Sequence, residues 1–212
     1  MINKKITIIG LGYVGLSLAS FLGTQTKVVG IDYDKEKLRI IKKGQSHFHE
    51  PKINYYLKKA IKNGTTFTDK ITNEITSSDF VFITVGTPID KNGKIDLDNI
   101  KAVSKSIVKN MTNSKNKPSI IVKSTVIPGT TIEVIKPILE KNNLKESIDF
   151  DLLTNPEFLK EGSAMQDTIL PHSIVIGGTN IEAIKKLTNL YKSVYKKKQK
   201  IAVGVVDAKL VH

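Results

Sequence analysis

The sequence contains no cysteine, and this absence excludes several kinds of chemistry at once. Disulfides, cysteine-based metal sites and a thiol nucleophile supplied by this chain are all ruled out. The chain also lacks an uninterrupted apolar run of the roughly eighteen residues that a membrane span needs. Its N-terminus passes from two lysines into a short apolar strand, without the longer apolar stretch and cleavage site of a signal peptide. We therefore expect a globular protein that resides in the cytoplasm.

Basic residues outnumber acidic ones by 33 to 20, which gives a net charge of +13. A charge of this size can indicate a polyanionic partner, because lysines that neutralise phosphates release counterions. The lysines are spread along the chain, however, and between Asp96 and Met111 they recur opposite an apolar helical face, as in a solvated stripe. The densest run comprises residues 196–198 and Lys200. Nucleic-acid binding is therefore not expected.

Strand-like and helix-like segments alternate almost from end to end. This pattern predicts an α/β fold with a doubly wound, mainly parallel sheet of the Rossmann type and helices on both faces. The predicted strands are 5–9, 27–31, one near 67, 80–85, 119–123, 150–153, 173–176 and 201–206. The predicted helices are 14–22, 35–43, 53–62, 96–111, 130–141 and 181–195. We assign 1–206 to this domain and interpret 207–212, with Asp207 as N-cap, as the start of a connecting helix cut from a longer protein.

The segment Gly10-Leu11-Gly12-Tyr13-Val14-Gly15 follows a predicted strand and opens a predicted helix, and Asp32 ends the next strand. Position and spacing match the dinucleotide fingerprint, whose glycines allow a tight turn, a close approach of the pyrophosphate and tight helix–strand packing. The helix N-terminus then offers unpaired N–H groups to the phosphates. The carboxylate of Asp32 would bind the adenosine ribose and repel a 2′-phosphate, which favours NAD over NADP. Taken alone, the glycines would also fit a structural turn, and Asp32 a cap of the helix starting at Lys35.

Three further segments leave predicted strands at the same sheet edge, where doubly wound folds place their ligand crevice. They are Val85-Gly86-Thr87-Pro88, residues 123–130 (KSTVIPGT) and residues 155–164 (NPEFLKEGSA). With PHSIVIGG at residues 171–178, they make the sequence closely similar to the nucleotide-sugar dehydrogenases that oxidise UDP-glucose or GDP-mannose. The resemblance covers essentially the whole chain and corresponds to the N-terminal domain of that family. The NPEFLKEGSA segment looks more like the UDP-glucose branch than the other branches.

The resemblance implies a particular chemistry for the complete enzyme. In that family the 6-hydroxymethyl group of the sugar is oxidised in two steps to a carboxylate, two NAD molecules are reduced, and a cysteine of the C-terminal region captures the intermediate aldehyde. This chain has no cysteine, so we expect it to bind NAD without completing the oxidation alone, since the covalent step has no thiolate. Members usually dimerise through the connecting helix, which is barely present, so a monomer or a weak association is expected.

The resemblance also implies roles for individual residues. Thr125 and Glu161 match the pair that holds and activates a water, and Glu161 would also lie near the nicotinamide. Further cofactor contacts are implied for Lys37, Thr87 and Thr125. The UDP-sugar would be lined, largely through backbone groups, by Glu157, Phe158, Leu159 and Lys160.

Without the resemblance, the same residues fit structural roles. Asn155-Pro156-Glu157 is a good helix start, so Glu157 would be a capping residue. Glu161 would be an exposed helix glutamate, and Thr125 a strand-end hydroxyl.

The segment SHFHEP, residues 46–51, places His47 and His49 near Glu50. The family has a similar loop ending in Glu-Pro-Gly, so we expect a structural loop and no metal site. Lys52 replaces that glycine, and Ser173 replaces an arginine that is usual in the family. Both departures bear on local geometry or substrate affinity.

Three functions remain open at this point. The favoured one is the NAD-binding portion of a UDP-glucose 6-dehydrogenase that is complete only with a C-terminal domain, in cis or in trans. The second is the corresponding part of a GDP-mannose or UDP-N-acetylhexosamine dehydrogenase. The third is a non-enzymatic module that uses NAD as a regulatory ligand or binds a polyanion.

Overall fold

The computed structural model describes residues 3–71, 73–111 and 116–195 and the backbone of 202–206. Its strands are β1 Lys5–Ile9, β2 Lys27–Ile31, β3 Thr66–Thr68, β4 Phe80–Ile83, β5 Ser119–Val122, β6 Asp151–Thr154, β7 Ser173–Gly178 and β8 Ala202–Val206. Its α-helices are α1 Tyr13–Leu22, α2 Lys35–Lys42, α3 Ile53–Lys62, α4 Asn73–Ser77, α5 Asp98–Met111, α6 Lys136–Leu139, α7 Ala164–Ile169 and α8 Ile181–Tyr195.

The strands form one sheet in the order β3-β2-β1-β4-β5-β6-β7-β8. All pairings are parallel except β6 with β7, so the predicted doubly wound, mainly parallel fold is confirmed. The order changes direction between β1 and β4, and such a switch point leaves a crevice beyond the carboxyl ends of the two strands. The glycine turn follows β1 directly and therefore lies at this crevice.

The sheet is buried on both faces, which explains why its central strands are continuous apolar runs. In β1, Ile6 and Ile8 join a core cluster with α1, α3 and α8, while Ile9 joins a second cluster on the opposite face with α5 and α6. Alternate strand residues thus serve different layers. This packing determines the positions of the carboxyl ends of the strands, and the loops that follow these ends form the candidate site.

The predicted helix 130–141 is present, but it is irregular and ends at Leu139. The chain forms a π-helical turn over Thr131–Ile135, the short α6, and a 3₁₀ turn over Lys141–Asn143. Pro137 lies in the first turn of α6. Proline has no N–H to donate and its ring crowds the carbonyl four residues earlier, which accounts for the widened turn that precedes α6.

The sequence also failed to predict α4 and α7, both of six residues or fewer. No helix begins at Asn155, since 155–160 is irregular backbone. The lysine run 196–198 with Lys200, and the predicted helix start 207–212, lie outside the described residues. Among the described helices, none combines the length and the apolar character that crossing a bilayer requires.

Candidate functional site

The turn after β1 has a shape that only glycine permits at two of its positions. Gly10 has φ of +97°, and a Cβ there would lie 2.8 Å from the backbone of Thr84. A Cβ on Gly15 would overlap the carbonyl oxygen of Gly10. Around Gly12, the N-cap of α1, there is open space, and no side chain caps the helix. The N-terminus of α1 is therefore accessible to an anionic ligand.

Asp32 lies at the end of β2 with its carboxylate held in place from three sides. Its Oδ2 accepts hydrogen bonds from the amide of Leu11 at 2.8 Å and from Nζ of Lys37 at 3.0 Å, and Oδ1 accepts one from the amide of Asp34. The cap of α2 is Asp34, which accepts from the amides of Glu36 and Lys37. These amide hydrogen bonds, above all that from Lys37, lower the pKa of Asp34. The structural alternative for Asp32 as a helix cap is thus wrong.

A cavity of about 410 Å³, here called the glycine-turn cavity, connects these groups. The turn and Asp32 form one wall, and the ends of β4 and α5 form the other. Its lining includes Gly10, Gly12, Asp32, Lys37, Gly86 and Asn99. The Asn99 amide donates to the Gly86 carbonyl at 3.0 Å and joins α5 to the β4 loop. The cavity thus has an amide-rich end for phosphates and a carboxylate end for a ribose.

The loops after β4, β5 and β6 meet at the same sheet edge. The Thr87 hydroxyl donates to the carbonyl of Thr125 at 2.5 Å, and the Thr125 hydroxyl lies 3.5 Å from Oε1 of Glu157. Oε2 of Glu157 accepts from the amide of Leu159. The fold thus brings together Thr87, Thr125 and Glu157, which are separated by 38 and 32 positions in the sequence.

Glu161 stands apart from this cluster. It is exposed and lies in a turn, and none of the described hydrogen bonds or ion pairs involves its carboxylate. The following Gly162 has φ of +82°, which turns the chain toward α7. The helical alternatives for Glu157 and Glu161 are wrong, because residues 155–163 are not helical and α7 begins at Ala164.

A second cavity of about 400 Å³, here called the segment cavity, lies beneath residues 156–160. It extends to the start of β7, where Ser173 lines it, and Phe158 at its edge is 58% exposed. Polar lining groups come from Lys123, Asn155, His172 and Tyr191. The four residues assigned to the sugar by resemblance, 157–160, all line this cavity.

The sequence predicted no function for Lys123 and Asn155, although both belong to the motifs. Nζ of Lys123 lies 3.1 Å from Oδ1 of Asn155, and burial lowers the pKa of Lys123 to about 8, an effect that Glu157 partly opposes. Asn155 is 1% exposed. The sequence feature that could have indicated a role for Lys123 is its position directly after the apolar strand β5.

The SHFHEP loop packs against the glycine turn and α7. Phe48 stacks on Tyr13 with ring centroids 4.1 Å apart, and buried Glu50 accepts a hydrogen bond from the amide of Met165 at 3.2 Å. Burial lowers the pKa of His47. The loop thereby connects the beginning of α1 with α7.

Comparison with known proteins gives consistent matches. Residues 4–195 match the family described as UDP-glucose/GDP-mannose dehydrogenase family, NAD binding domain. GDP-mannose 6-dehydrogenase of Pseudomonas syringae pv. syringae is 38% identical over 191 residues, which are 89% of this chain and 44% of that protein. UDP-glucose 6-dehydrogenase TuaD of Bacillus subtilis is 37% identical over 191 residues, 89% of this chain and 40% of that protein. The chain thus spans less than half the length of these relatives.

Solved structures agree with the sequence matches. A ternary complex of GDP-mannose dehydrogenase from Pseudomonas aeruginosa superposes with a TM-score of 0.89 at 32% identity, covering 97% of this chain and 47% of that one. A UDP-glucose dehydrogenase from Pyrobaculum islandicum gives 0.88 at 29% identity, covering 98% and 47%.

Proposed function

We propose, since the chain belongs to the UDP-glucose/GDP-mannose dehydrogenase family as an NAD-binding domain, that it forms the cofactor-binding part of a nucleotide-sugar 6-dehydrogenase that converts UDP-glucose to UDP-glucuronate. One observation carries the proposal. Accessible amides of the glycine turn and the oriented carboxylate of Asp32 line adjacent parts of one cavity. This is the complementarity that linked phosphates and an adjacent ribose require.

The residues present fit NAD. Gly12 leaves the start of α1 open, so the backbone of Tyr13 and Val14 can approach the pyrophosphate, and Gly10 and Gly15 permit the tight turn. The Asp32 carboxylate accepts hydrogen bonds from the ribose, and Lys37 holds that carboxylate in position at 3.0 Å. When bound, NAD supplies the hydride acceptor. Thr87, Thr125 and Glu161, beyond the ends of β4, β5 and β6, would lie on the nicotinamide side.

We assign proton handling at a water to Thr125 and Glu161 from the resemblance; Glu161 is exposed and lies apart from Thr125 in this structure, so its carboxylate has to turn toward Thr125 when the ligands bind. A hydroxyl and a carboxylate that flank a water can orient it and take its proton. Glu157 supports the Thr125 hydroxyl from 3.5 Å. The UDP-sugar would lie over the segment cavity, against 157–160, because those residues present backbone groups and the exposed Phe158 ring there.

The oxidation requires groups that this chain does not contain. With no cysteine, the thiolate that captures an aldehyde has to come from a C-terminal domain, in cis or in trans. We therefore propose that the chain alone binds NAD and makes no NADH from UDP-glucose. Dimerisation is assigned to the complete protein.

The test is a calorimetric titration of the chain with NAD and with NADP. We expect saturable NAD binding that is at least tenfold tighter than NADP binding, because Asp32 repels a 2′-phosphate. Asp32→Ala should weaken NAD binding and remove this preference, whereas the control Asp34→Ala, which uncaps α2 outside the cavity, should keep the preference. The absence of any NAD binding by the folded wild-type chain would refute the proposal.

GDP-mannose is the second candidate substrate. Relatives with that activity in their names are as similar to this chain, at 38% identity, as the UDP-glucose relative at 37%. Thermal shifts of the NAD-saturated chain with UDP-glucose, GDP-mannose and UDP-N-acetylglucosamine would separate the candidates. A shift with GDP-mannose alone would replace UDP-glucose as the assigned substrate.

A further inference from the structure

The side chain of Asn155 uses all its polar atoms at the end of β6. Its Nδ2 donates to the Val175 carbonyl at 2.7 Å, and its Oδ1 accepts from the Tyr191 hydroxyl and from Lys123 Nζ at 3.1 Å. Nζ of Lys123 also lies 3.5 Å from the backbone carbonyl of Asn155. Because Asn155 is fully enclosed, these contacts determine the direction in which the chain leaves the sheet.

The chain beyond Asn155 has few other supports. Residues 155–163, here called the NPEF segment, lie between β6 and α7 and belong to no strand or helix themselves. The Asn155 amide donates to Val122 O at 2.8 Å, and the Lys160 amide donates to Oδ2 of Asp167 at 3.1 Å. Between these two points, Glu157 bonds only to Leu159 and to Thr125 among the described residues. The segment is thus held chiefly by its two ends.

Lys123 is costly for stability where it stands. Lys123 is half-buried in the wall of the segment cavity, and its ammonium is partly desolvated and makes no ion pair with a carboxylate of the described residues. A partly desolvated charge without a direct counter-ion lowers the stability of a fold. Residues that cost stability and persist are found where they serve a site. Lys123 contacts Asn155, the first residue of the NPEF segment.

We propose that Lys123 is a positioning residue, whose ammonium group locks the side chain and carbonyl of Asn155 and so holds the NPEF segment in the conformation that presents Glu157 to Thr125. This inference rests on the proposed function only where the segment is taken as the sugar-nucleotide site. The role of Lys123 acts through Asn155. It predicts an unusual combination, in which removal of the amine leaves the whole fold at least as stable but loosens the segment.

The absence of cysteine from the chain allows a precise test of the amine. Lys123→Cys introduces the only thiol, which is alkylated in the unfolded chain before refolding. 2-Bromoethylamine restores an ammonium at nearly the lysine length, and 1-bromopropane gives a neutral side chain with the same number of heavy atoms. Lys123→Met is a variant that needs no alkylation, and Lys105→Met, on the exposed face of α5, is the matched control for the loss of a lysine.

Amide hydrogen exchange is then measured by mass spectrometry on peptides covering 156–163, β5 and β6. We expect exchange in 156–163 to be about tenfold faster or more in the propylated and Met forms, since a charge-assisted hydrogen bond is lost. The aminoethylated form and Lys105→Met should match the wild type. Strands β5 and β6 should keep their protection in all forms. At pH 7 the urea midpoint of Lys123→Met should be unchanged or higher.

Unchanged exchange in 156–163 without the amine would overturn the proposal, as would acceleration spread equally over β5, β6 and the segment. Failure of aminoethylation to restore protection would also overturn it. The proposed function is judged separately by NAD titration of the wild-type chain. A chain that binds no NAD but shows the expected exchange pattern would refute the function and retain the role of Lys123.

Discussion

Lys52 occupies a backbone conformation that favours glycine. Its φ and ψ are 66° and −6°, in the left-handed region, at the N-cap of α3. A side chain with a Cβ pays about 1 kcal/mol or more for this conformation. The family that the chain resembles has glycine here, so the sequence departure coincides with a strained residue. The strain is local, because Lys52 is exposed and its carbonyl still accepts from the Tyr56 amide at 3.1 Å.

We predict that Lys52→Gly raises the free energy of unfolding by about 0.5–1 kcal/mol, since relief of strain exceeds the added freedom of the unfolded chain. Urea unfolding followed by circular dichroism measures the change. The matched control is Lys59→Gly inside α3, where the same substitution should lower stability by about 0.5–1 kcal/mol. Destabilisation by both substitutions would contradict the strain at Lys52.

At the scale of elements, the sequence predicted helices and strands that have a regular apolar pattern, and it missed those that depend on contacts with residues far along the chain. The bounds of β1, β2, α3 and α8 agree with the structure because apolar periodicity and turn residues mark their ends. The helix α7 was missed, because one of its first amides is bonded by Glu50, 115 residues away. The same holds for the site. The glycine turn was readable as a motif, but the Lys123–Asn155–Tyr191 contacts join three separate elements.

Two glycines of the turn between β1 and α1 have different roles: Gly15 is needed for packing, and Gly12 leaves room for the ligand. We predict that Gly15→Ala lowers the free energy of unfolding by about 3 kcal/mol, since its Cβ would overlap the Gly10 carbonyl.

Gly12→Ala should leave stability within about 0.5 kcal/mol, because nothing lies within 4 Å of that Cβ. Its methyl group would nevertheless occupy the path of the pyrophosphate and weaken NAD binding at least tenfold. Thermal unfolding and NAD titration of both variants measure the two effects. Normal NAD affinity in Gly12→Ala would place the phosphates elsewhere.

At the scale of the whole molecule, one buried and two half-buried titratable groups around the segment cavity determine how stability depends on alkaline pH. Burial lowers the pKa of Lys123 to about 8 and raises the pKa of Tyr195 and, mainly for the same reason, that of Tyr191. All three groups are thus favoured in their neutral forms by the fold. The lysine and the tyrosines act in opposite directions, because neutral lysine has lost a proton and neutral tyrosine has kept one.

We predict a stability maximum between about pH 9 and 10 as a consequence. Between pH 8 and 10.5 the unfolded chain binds more protons at Lys123 than the folded chain, so the free energy of unfolding rises, by up to roughly 2 kcal/mol at 1.36 kcal/mol per pKa unit. Above pH 10 the unfolded chain loses tyrosine protons that the folded chain retains, so stability falls again. Urea unfolding at half-unit steps from pH 7 to 11 measures the profile. Lys123→Met should lose the rise below pH 10 and keep the fall above it, and a rise that persists in this variant would show that another group is responsible.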